Sequence, residues 1–354
     1  MYIYLLLINL IGILYILINI VPKNKQRLIS SLILGALFFL VMGLRDSSVG
    51  SDTNTYLDLY NAQDFLNQDF FFRQEYGFQL YMRLFTILGF SDRFFILINS
   101  LIITFSFAYF FYTYSKNICF SFFLHLTIGL FAMTMSGLRQ SLAICIILFS
   151  IDLFFKKKKF FSIISIYVAS TFHISALFFI ISYFSFVIKI TSYRKILYIL
   201  MLISPLIIFR KTLIDFIGNI TYRRYLELYG GIYSIKMNIL LLFIAILIPV
   251  FIVILWKISN KNLKLITLQE STFFKLTCLN TIITFFAIDS IMLLRFSYYF
   301  IPAYIVLIPN AIMDLKSITN KYLISVVIIV VCIVYFVLGT VGGILKIDNY
   351  LFFF

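Results

Sequence analysis

The chain has 354 residues, of which 62% are hydrophobic, 19% aromatic and only 12% charged, and its formal net charge is +15. Soluble globular domains average about 45–50% apolar and about 25% charged residues, so this composition excludes an ordinary soluble protein. The positive charge does not indicate nucleic-acid binding, because basic residues of membrane proteins gather in cytoplasmic loops.

Long apolar runs predict an all-α polytopic membrane protein, which we treat as a single integral membrane domain over residues 1–354. One helix needs about 20 apolar residues to cross a bilayer core. The first run lacks a basic start and a small-residue cleavage site, so it predicts a membrane helix rather than a signal peptide. Charged residues divide the chain into about twelve predicted crossings, at residues 2–21, 28–44, 94–114, 118–134, 139–155, 160–174, 175–188, 196–209, 238–256, 272–288, 296–313 and 322–345.

Lysine and arginine set the predicted orientation. The basic turn at 22–27 and the four lysines at 156–159 indicate cytoplasmic connections. The loops 45–93 and 210–237 and both termini are then predicted to be extracytoplasmic, in a bacterial cytoplasmic membrane.

Arginine is concentrated on the predicted outer side, whereas the predicted inner side carries mostly lysine. A guanidinium offers a rigid bidentate fork to phosphate, and an ammonium does not. The outer side therefore predicts a phosphate-bearing ligand, although any single arginine could instead pair with a nearby acid or a lipid head group. The outer arginines are Arg45, Arg73, Arg83, Arg93, Arg139, Arg210, Arg223, Arg224 and Arg295.

The first polar cluster, GLRDSSVGSDTNTYLDLY, follows the second predicted helix at residues 43–60. Arg45 ends that helix, and its long side chain can reach outward. Gly50 permits a turn that brings main-chain N–H groups near a ligand. Asp52 and Tyr56 follow as candidate site residues. The alternative is an Asx turn in which Asp52 only caps the next helix.

Two further clusters lie at helix ends. Arg139 and Gln140 in SGLRQSLA lie at the start of a predicted apolar helix. An arginine within a membrane segment is energetically costly and therefore indicates a functional residue. The alternative is an anchor whose side chain snorkels to the membrane interface. His173 in STFHISALF has hydroxyl neighbours and could titrate near neutral pH. The alternative for His173 is plain packing, which we expect for His125.

The remaining candidates lie later in the chain. Arg295 opens a predicted helix, with an interfacial anchor as the alternative. In the loop 210–237, arginines suit phosphate and tyrosines suit sugar rings, with an interfacial amphipathic helix as the alternative. The candidate substrate-binding residues of this loop are Arg210, Arg223, Arg224, Tyr225 and Tyr229.

No motif indicates a cofactor or a metal. The sequence has no P-loop, dinucleotide fingerprint or nucleophile elbow. Its four cysteines lie in apolar runs without paired spacing and are expected to be packing or lipid-facing residues. We therefore expect a protein that works without a cofactor.

Taken in order, these motifs resemble those of the EpsG / Wzy family of polysaccharide polymerases. The segments are GLRDSSVGSDTNTY, EYGFQL at 75–80, SGLRQSLAI at 136–144, the lysine run, FHISAL at 172–177 and LRFSYYF at 294–300. Gly50-Ser51-Asp52 stands where the family more usually has Gly-Thr-Asp. The resemblance implies a GT-C-like membrane fold and an enzyme that joins oligosaccharide repeat units carried on undecaprenyl diphosphate. It also implies a flippase and a chain-length regulator as pathway partners.

The predicted reaction is an attack by a hydroxyl of one repeat unit on the anomeric carbon of the chain, with undecaprenyl diphosphate leaving. Arg45, Arg139 and Arg295 are expected to stabilise the leaving group. Asp52 is the first candidate for the base, His173 the second and Asp289 the third. The alternatives are a flippase or exporter of the lipid-linked unit, a polysaccharide ligase and a membrane acyltransferase.

Overall fold

In the computed structural model, the described residues are 1–62, 75–186, 192, 239–287, 291–340, 347 and 349–354. They form two compact units, Met1–Phe179 with Ser317–Phe354, and Ile180–Lys316. We call them the first and second unit. The single-domain interpretation stays a prediction.

The described secondary structure is helical apart from one isolated antiparallel bridge between Arg45 and Phe352. Short 3₁₀ segments flank several helices, at Ile18–Ile20, Ile174–Ile180, Leu263–Leu265 and Ser297–Tyr299. The α-helices are α1 Tyr2–Leu17, α2 Lys23–Gly43, α3 Thr53–Asn61, α4 Tyr76–Ile87, α5 Asp92–Tyr114, α6 Ile118–Thr127, α7 Leu130–Ser136, α8 Leu138–Phe155, α9 Lys159–Phe172, α10 Ile181–Phe186, α11 Ile239–Ile258, α12 Leu268–Phe286, α13 Ile291–Leu294, α14 Ile301–Met313 and α15 Ile318–Thr340.

Six described helices are long and apolar enough to cross a membrane. They are α1 with its 3₁₀ extension, α2, α5, α8, α11 and α15. A seventh crossing results if α6 and α7, which meet at a bend of 61°, form one broken span. The fold is therefore that of a helical membrane protein, as predicted.

The predicted number of about twelve crossings is not confirmed. The predicted spans 160–174, 175–188 and 296–313 correspond to shorter apolar helices, and 196–209 lies outside the described residues. The span 272–288 falls on α12, whose charged and amide side chains lower its hydropathy. The GT-C-like arrangement is likewise not confirmed.

Small residues let the helices of the first unit approach closely, which is how membrane helices associate without a hydrophobic driving force. Ser150 and Ser162 join α8 to α9 by reciprocal hydrogen bonds, each hydroxyl donating to the other residue's carbonyl at 2.7 Å. On α2, Ser31 donates to the carbonyl of Ala108 on α5 at 2.9 Å. Helix α8 is the most buried candidate span and α15 the least, so α8 forms the centre of this unit.

The lysine-rich end of the first unit is held by charge pairing. Lys156 contacts Asp152, one helical turn earlier in the chain, at 2.6 Å. Arg27 donates to the carbonyls of Ser115, at 2.7 Å, and of Tyr112 at the end of α5. The Tyr114 hydroxyl donates to Asp152 at 2.7 Å, so the connections near residues 22–27, 115–117 and 156–159 share one end of this unit. The candidate site lies at the opposite end.

The second unit is stabilised by an ion cluster. Lys261, just after α11, contacts Glu270 of α12 and lies 2.6 Å from Asp314 at the end of α14. Burial would lower the pKa of Lys261, but the hydrogen bonds that Lys261 donates to both carboxylates, together with their negative charges, outweigh burial and raise that pKa. The cluster fixes three helix ends of the second unit to one another.

Candidate active site

Six helix ends of the first unit converge on the candidate site. They are the end of α2, the starts of α3 and α4, the end of α7, the start of α8 and the end of α9. Together they carry four of the polar segments singled out from the sequence. The polar residues are therefore collected at one end of an apolar bundle, where helix termini supply additional main-chain donors and acceptors.

Glu75 lies at the centre of this site and joins two side chains that are far apart in the sequence. Its Oε2 accepts a hydrogen bond from Nη1 of Arg139 at 2.6 Å. Its Oε1 lies 2.8 Å from Nδ1 of His173 and accepts from the main-chain N–H of Ile174 at 3.3 Å. All three side chains are largely buried, with 17%, 16% and 8% exposed for Glu75, Arg139 and His173. They form a compact carboxylate–guanidinium–imidazole cluster, which we call the Glu75 cluster.

The Glu75 carboxylate stays ionised over the physiological range. Burial alone would raise its pKa, but the hydrogen bond from His173 and the charges of His173 and Arg139 outweigh burial and hold the pKa at about 2, below the ordinary 4.5. A carboxyl group whose folded pKa is depressed stabilises the fold above its unfolded pKa. The contribution of Glu75 is therefore fully present above about pH 4.5 and is lost as the pH falls toward 2.

Tyr56 of α3 lies beside the Glu75 cluster. It is 5% exposed, and its ring packs edge-on against Phe78 of α4, with centroids 5.8 Å apart. Burial raises the pKa of Tyr56, and the positive charge of Arg139, followed by hydrogen bonding with Arg139, opposes that rise. The phenol therefore stays protonated at neutral pH beside Arg139.

Asp52 lies at the N-cap position of α3, one turn before Tyr56. Its carboxylate makes no capping hydrogen bond and instead accepts from the Ser51 hydroxyl at 2.9 Å. The Asx turn lies earlier, where Asp46 accepts from the main chain and hydroxyl of Ser48 at 2.9 and 2.8 Å. Asp52 is thus close to the Glu75 cluster through Tyr56 but is not one of its hydrogen-bonding members.

Arg45 is placed differently from the outward-reaching side chain expected from the sequence. It is 1% exposed, and its guanidinium donates to the carbonyls of Met42 and of Met135, the latter at 3.0 Å. Carbonyl groups near helix ends carry partial negative charge, which explains why a cation turns inward here. Burial lowers the pKa of Arg45 to about 10, so it remains charged at neutral pH. Arg45 thereby fastens α2 to the α7–α8 junction.

Gly50 occupies a backbone conformation that requires glycine. Its φ is +94°, and a Cβ there would lie 2.7 Å from Oγ1 of Thr53 and 3.0 Å from the carbonyl oxygen of Met135. The main-chain N–H of Ser51 donates to the Ser136 hydroxyl at 3.3 Å. The loop before α3 therefore packs tightly against the α7–α8 junction that carries Arg139.

The segment 349–354 covers the loop at Arg45. The main-chain N–H of Asp46 donates to Leu351 at 2.8 Å, and that of Phe353 donates to Leu44 at 3.1 Å. The Tyr350 hydroxyl donates to Val41 at 2.7 Å. These hydrogen bonds fix the position of the end of α2 beside the candidate site.

Gly77 allows α4 to approach α9, and we expect its substitution to disturb the Glu75 cluster. In Gly77→Ala the new Cβ would lie 2.9 Å from the carbonyl oxygen of Thr171 and would clash with its hydroxyl. Glu75 is two residues before Gly77, and His173 is two residues after Thr171. The clash should therefore move Glu75 away from His173, and it should lower the free energy of unfolding by about 1–3 kcal/mol. A thermal-unfolding measurement tests this, with Gly12→Ala as the control, since nothing lies within 4 Å of a Cβ at Gly12. Equal stability of the two variants would contradict the close approach.

The other predicted residues are distributed as follows. Gln140 is buried on α8 next to Arg139. Arg295 lies in the second unit, in the turn between α13 and the 3₁₀ segment Ser297–Tyr299, and is half-buried. His125 packs against Phe107 with ring centroids 4.3 Å apart, as expected for a packing residue. The predicted loop residues Arg210, Arg223, Arg224, Tyr225 and Tyr229, together with Asp289, lie outside the described residues.

Sequence reasoning missed Glu75 as a site residue. It did not associate the only acid of the EYGFQL segment with Arg139 or His173, which are 64 and 98 positions away. The available signal was that segment itself, which was noticed for its resemblance and not for its chemistry. Among the described residues, no group of three His, Cys, Asp or Glu side chains is arranged to hold a metal ion.

Comparison with known proteins identifies a protein family. The sequence model of the EpsG family matches residues 28–351, which includes every described residue of the Glu75 cluster. Neither the curated proteins nor the solved structures contain a significant match to this chain.

Proposed function

The chain belongs to the EpsG family, and from this membership we propose that it is a polymerase of surface polysaccharide. It joins oligosaccharide repeat units carried on undecaprenyl diphosphate by glycosyl transfer at the outer face of the cytoplasmic membrane. The supporting observation is the Glu75 cluster, a buried group of acid, base and guanidinium gathered at one end of a membrane-helix bundle. A flippase and a chain-length regulator of the same pathway are its proposed partners.

Two chemical tasks define the reaction. Negative charge develops on the departing diphosphate, and a preorganised guanidinium can stabilise it. We assign this task to Arg139, whose direction is fixed by Glu75 and whose guanidinium has five N–H donors in total. The acceptor hydroxyl must lose a proton, and the two candidate bases are Asp52 and His173.

Arg45 and Arg295 take different roles in this proposal. Because the Arg45 guanidinium is bound to main-chain carbonyls, we assign it the task of holding the loop that carries Asp52. Arg295 remains a proposed second phosphate ligand, together with Arg210, Arg223 and Arg224. Tyr225 and Tyr229 remain proposed sugar-binding residues.

The bond changes balance without a further reactant. The hydroxyl oxygen of the incoming unit forms a bond to the anomeric carbon of the chain, and its proton passes to the base. The bond between that carbon and the diphosphate oxygen breaks, and its electron pair leaves with undecaprenyl diphosphate. The released undecaprenyl diphosphate leaves the site, and the lengthened chain stays on the carrier of the incoming unit.

A deletion strain tests the proposed function. We expect a gel of its surface polysaccharide to show no ladder, and lipid extraction to show single repeat units exposed on the outer leaflet. Expression of the intact chain should restore the ladder. Repeat units trapped on the inner leaflet would instead indicate a flippase, and long polymer that stays on its carrier would indicate a ligase.

A further inference from the structure

We propose that Glu75 positions His173 as the base of the reaction, by accepting the Nδ1–H hydrogen bond so that the lone pair of Nε2 receives the proton of the acceptor hydroxyl. This inference rests on the proposed function and decides between its two candidate bases. Glu75 is a positioning residue in this scheme, because it acts on the hydroxyl only through His173.

The first argument is the direction of the hydrogen bond. An ionised carboxylate can only accept hydrogen bonds, and a neutral imidazole donates from one nitrogen and accepts at the other. Oε1 of Glu75 lies 2.8 Å from Nδ1 of His173, so Nδ1 must carry the proton. The neutral imidazole then has its lone pair on Nε2, as a proton acceptor requires.

The second argument is that two contacts besides the one to His173 hold Glu75 itself in place. Oε2 accepts from Arg139 at 2.6 Å, and the Ile174 main-chain N–H, adjacent to His173 in the chain, donates to Oε1 at 3.3 Å. These contacts keep the carboxylate ionised, because Arg139 brings a positive charge to it. The orientation of the imidazole therefore follows from α4, α8 and the end of α9 together and not from one flexible contact.

The third argument is a comparison with Asp52. The Asp52 carboxylate accepts from Ser51, its neighbour in the chain, at 2.9 Å, and no described residue orients a second group through it. In many hydrolases a carboxylate holds the imidazole in the orientation that lets it act as a base. This arrangement recurs on unrelated folds. The Glu75 cluster thus has the acid, the base and a cation in contact, whereas Asp52 has a hydroxyl neighbour.

Imidazole nitrogen NMR tests the positioning without any need for activity. The chain contains two histidines, so protein labelled with ¹⁵N-histidine gives two imidazole groups, and the one missing in His173→Gln is His173. Above its titration midpoint, we expect His173 to carry its proton on Nδ1. In Glu75→Gln, whose amide can donate as well as accept, we expect a mixture of tautomers. A proton on Nε2 in the unaltered protein, or an unchanged tautomer in Glu75→Gln, would overturn the proposal.

The pH dependence gives a second readout. Among the described residues, the charged and phenolic groups beside His173 or its partners include Glu75, Arg139 and Tyr56. Removing the negative charge of Glu75 disfavours the imidazolium, so the His173 titration should move to lower pH by about 1–3 units. The acid limb of the polymerisation rate should move with it, and the rate at its optimum should fall about 10²-fold.

Asp152→Asn is the matched control, because Asp152 is also a buried carboxylate of the first unit that pairs with a basic side chain, Lys156. It should leave the His173 tautomer and the acid limb unchanged.

In a His173→Gln background, adding Glu75→Gln should lower the remaining rate by less than about 3-fold, since coupled residues are not additive. Full additivity would show that Glu75 acts independently of His173. The polymer ladder of the deletion strain tests whether the chain is a polymerase. The NMR and pH measurements test only the role of Glu75, so the two proposals can fail independently.

Discussion

Replacement of His173 with Gln is expected to lower the polymerisation rate about 10²–10⁴-fold, the range that general-base catalysis contributes. The imidazole is 8% exposed and is oriented by Glu75, so the loss should fall on turnover more than on binding of the lipid-linked unit. An interaction made only in the transition state lowers kcat with little change in KM. The rate of formation of lipid-linked dimers, measured against unit concentration, gives both quantities.

Asp52→Asn is the comparison variant for this prediction. It keeps the shape of the side chain and the hydrogen bond to Ser51, and it removes only the carboxylate charge. We expect a loss of less than about 10-fold, well below the loss at His173. The opposite order, with Asp52→Asn inactive and His173→Gln active, would identify Asp52 as the base.

Replacement of Arg139 with Ala is expected to lower turnover about 10²–10³-fold, as removal of one preorganised donor to a developing negative charge does. Arg139→Lys should recover little of this loss, because an ammonium cannot make the two-pronged contact of a guanidinium. Both variants are measured in the same dimer-forming assay.

The Arg139 prediction needs a control for folding. Arg139→Ala leaves Glu75 as a buried carboxylate without its guanidinium, and an uncompensated buried charge is strongly destabilising. The double variant Arg139→Ala, Glu75→Gln removes both charges and should recover thermal stability while activity stays low. Recovery of activity together with stability would contradict a direct role for Arg139.

Much of the helical arrangement follows from the apolar runs. The helices α1, α2, α5, α8, α11 and α15 lie within a few residues of predicted spans, because charged residues end hydrophobic runs where helices leave a bilayer. The predicted number of crossings is not confirmed by the described residues. Helix α12 carries the buried polar residues Glu270 and Lys275, whose accommodation depends on neighbouring helices and not on local hydropathy.

The site was predicted in part. Arg139 and His173 were singled out because a charged or titratable residue at the end of an apolar helix is costly and therefore informative. Their connection through Glu75 depends on how α4 packs against α8 and α9, which no local pattern encodes. Arg45 was identified as important, but its inward direction depends on the carbonyl of Met135, 90 positions away.

The central claim is that this chain forms the glycosidic bond between lipid-linked repeat units. The most direct measurement supplies purified protein with the repeat-unit lipid extracted from the deletion strain and counts the products. We predict a lipid-linked dimer and one undecaprenyl diphosphate released for each bond formed, with both lost in His173→Gln. Unchanged repeat units in the presence of the intact, folded protein, or release of undecaprenyl diphosphate without any dimer, would contradict it.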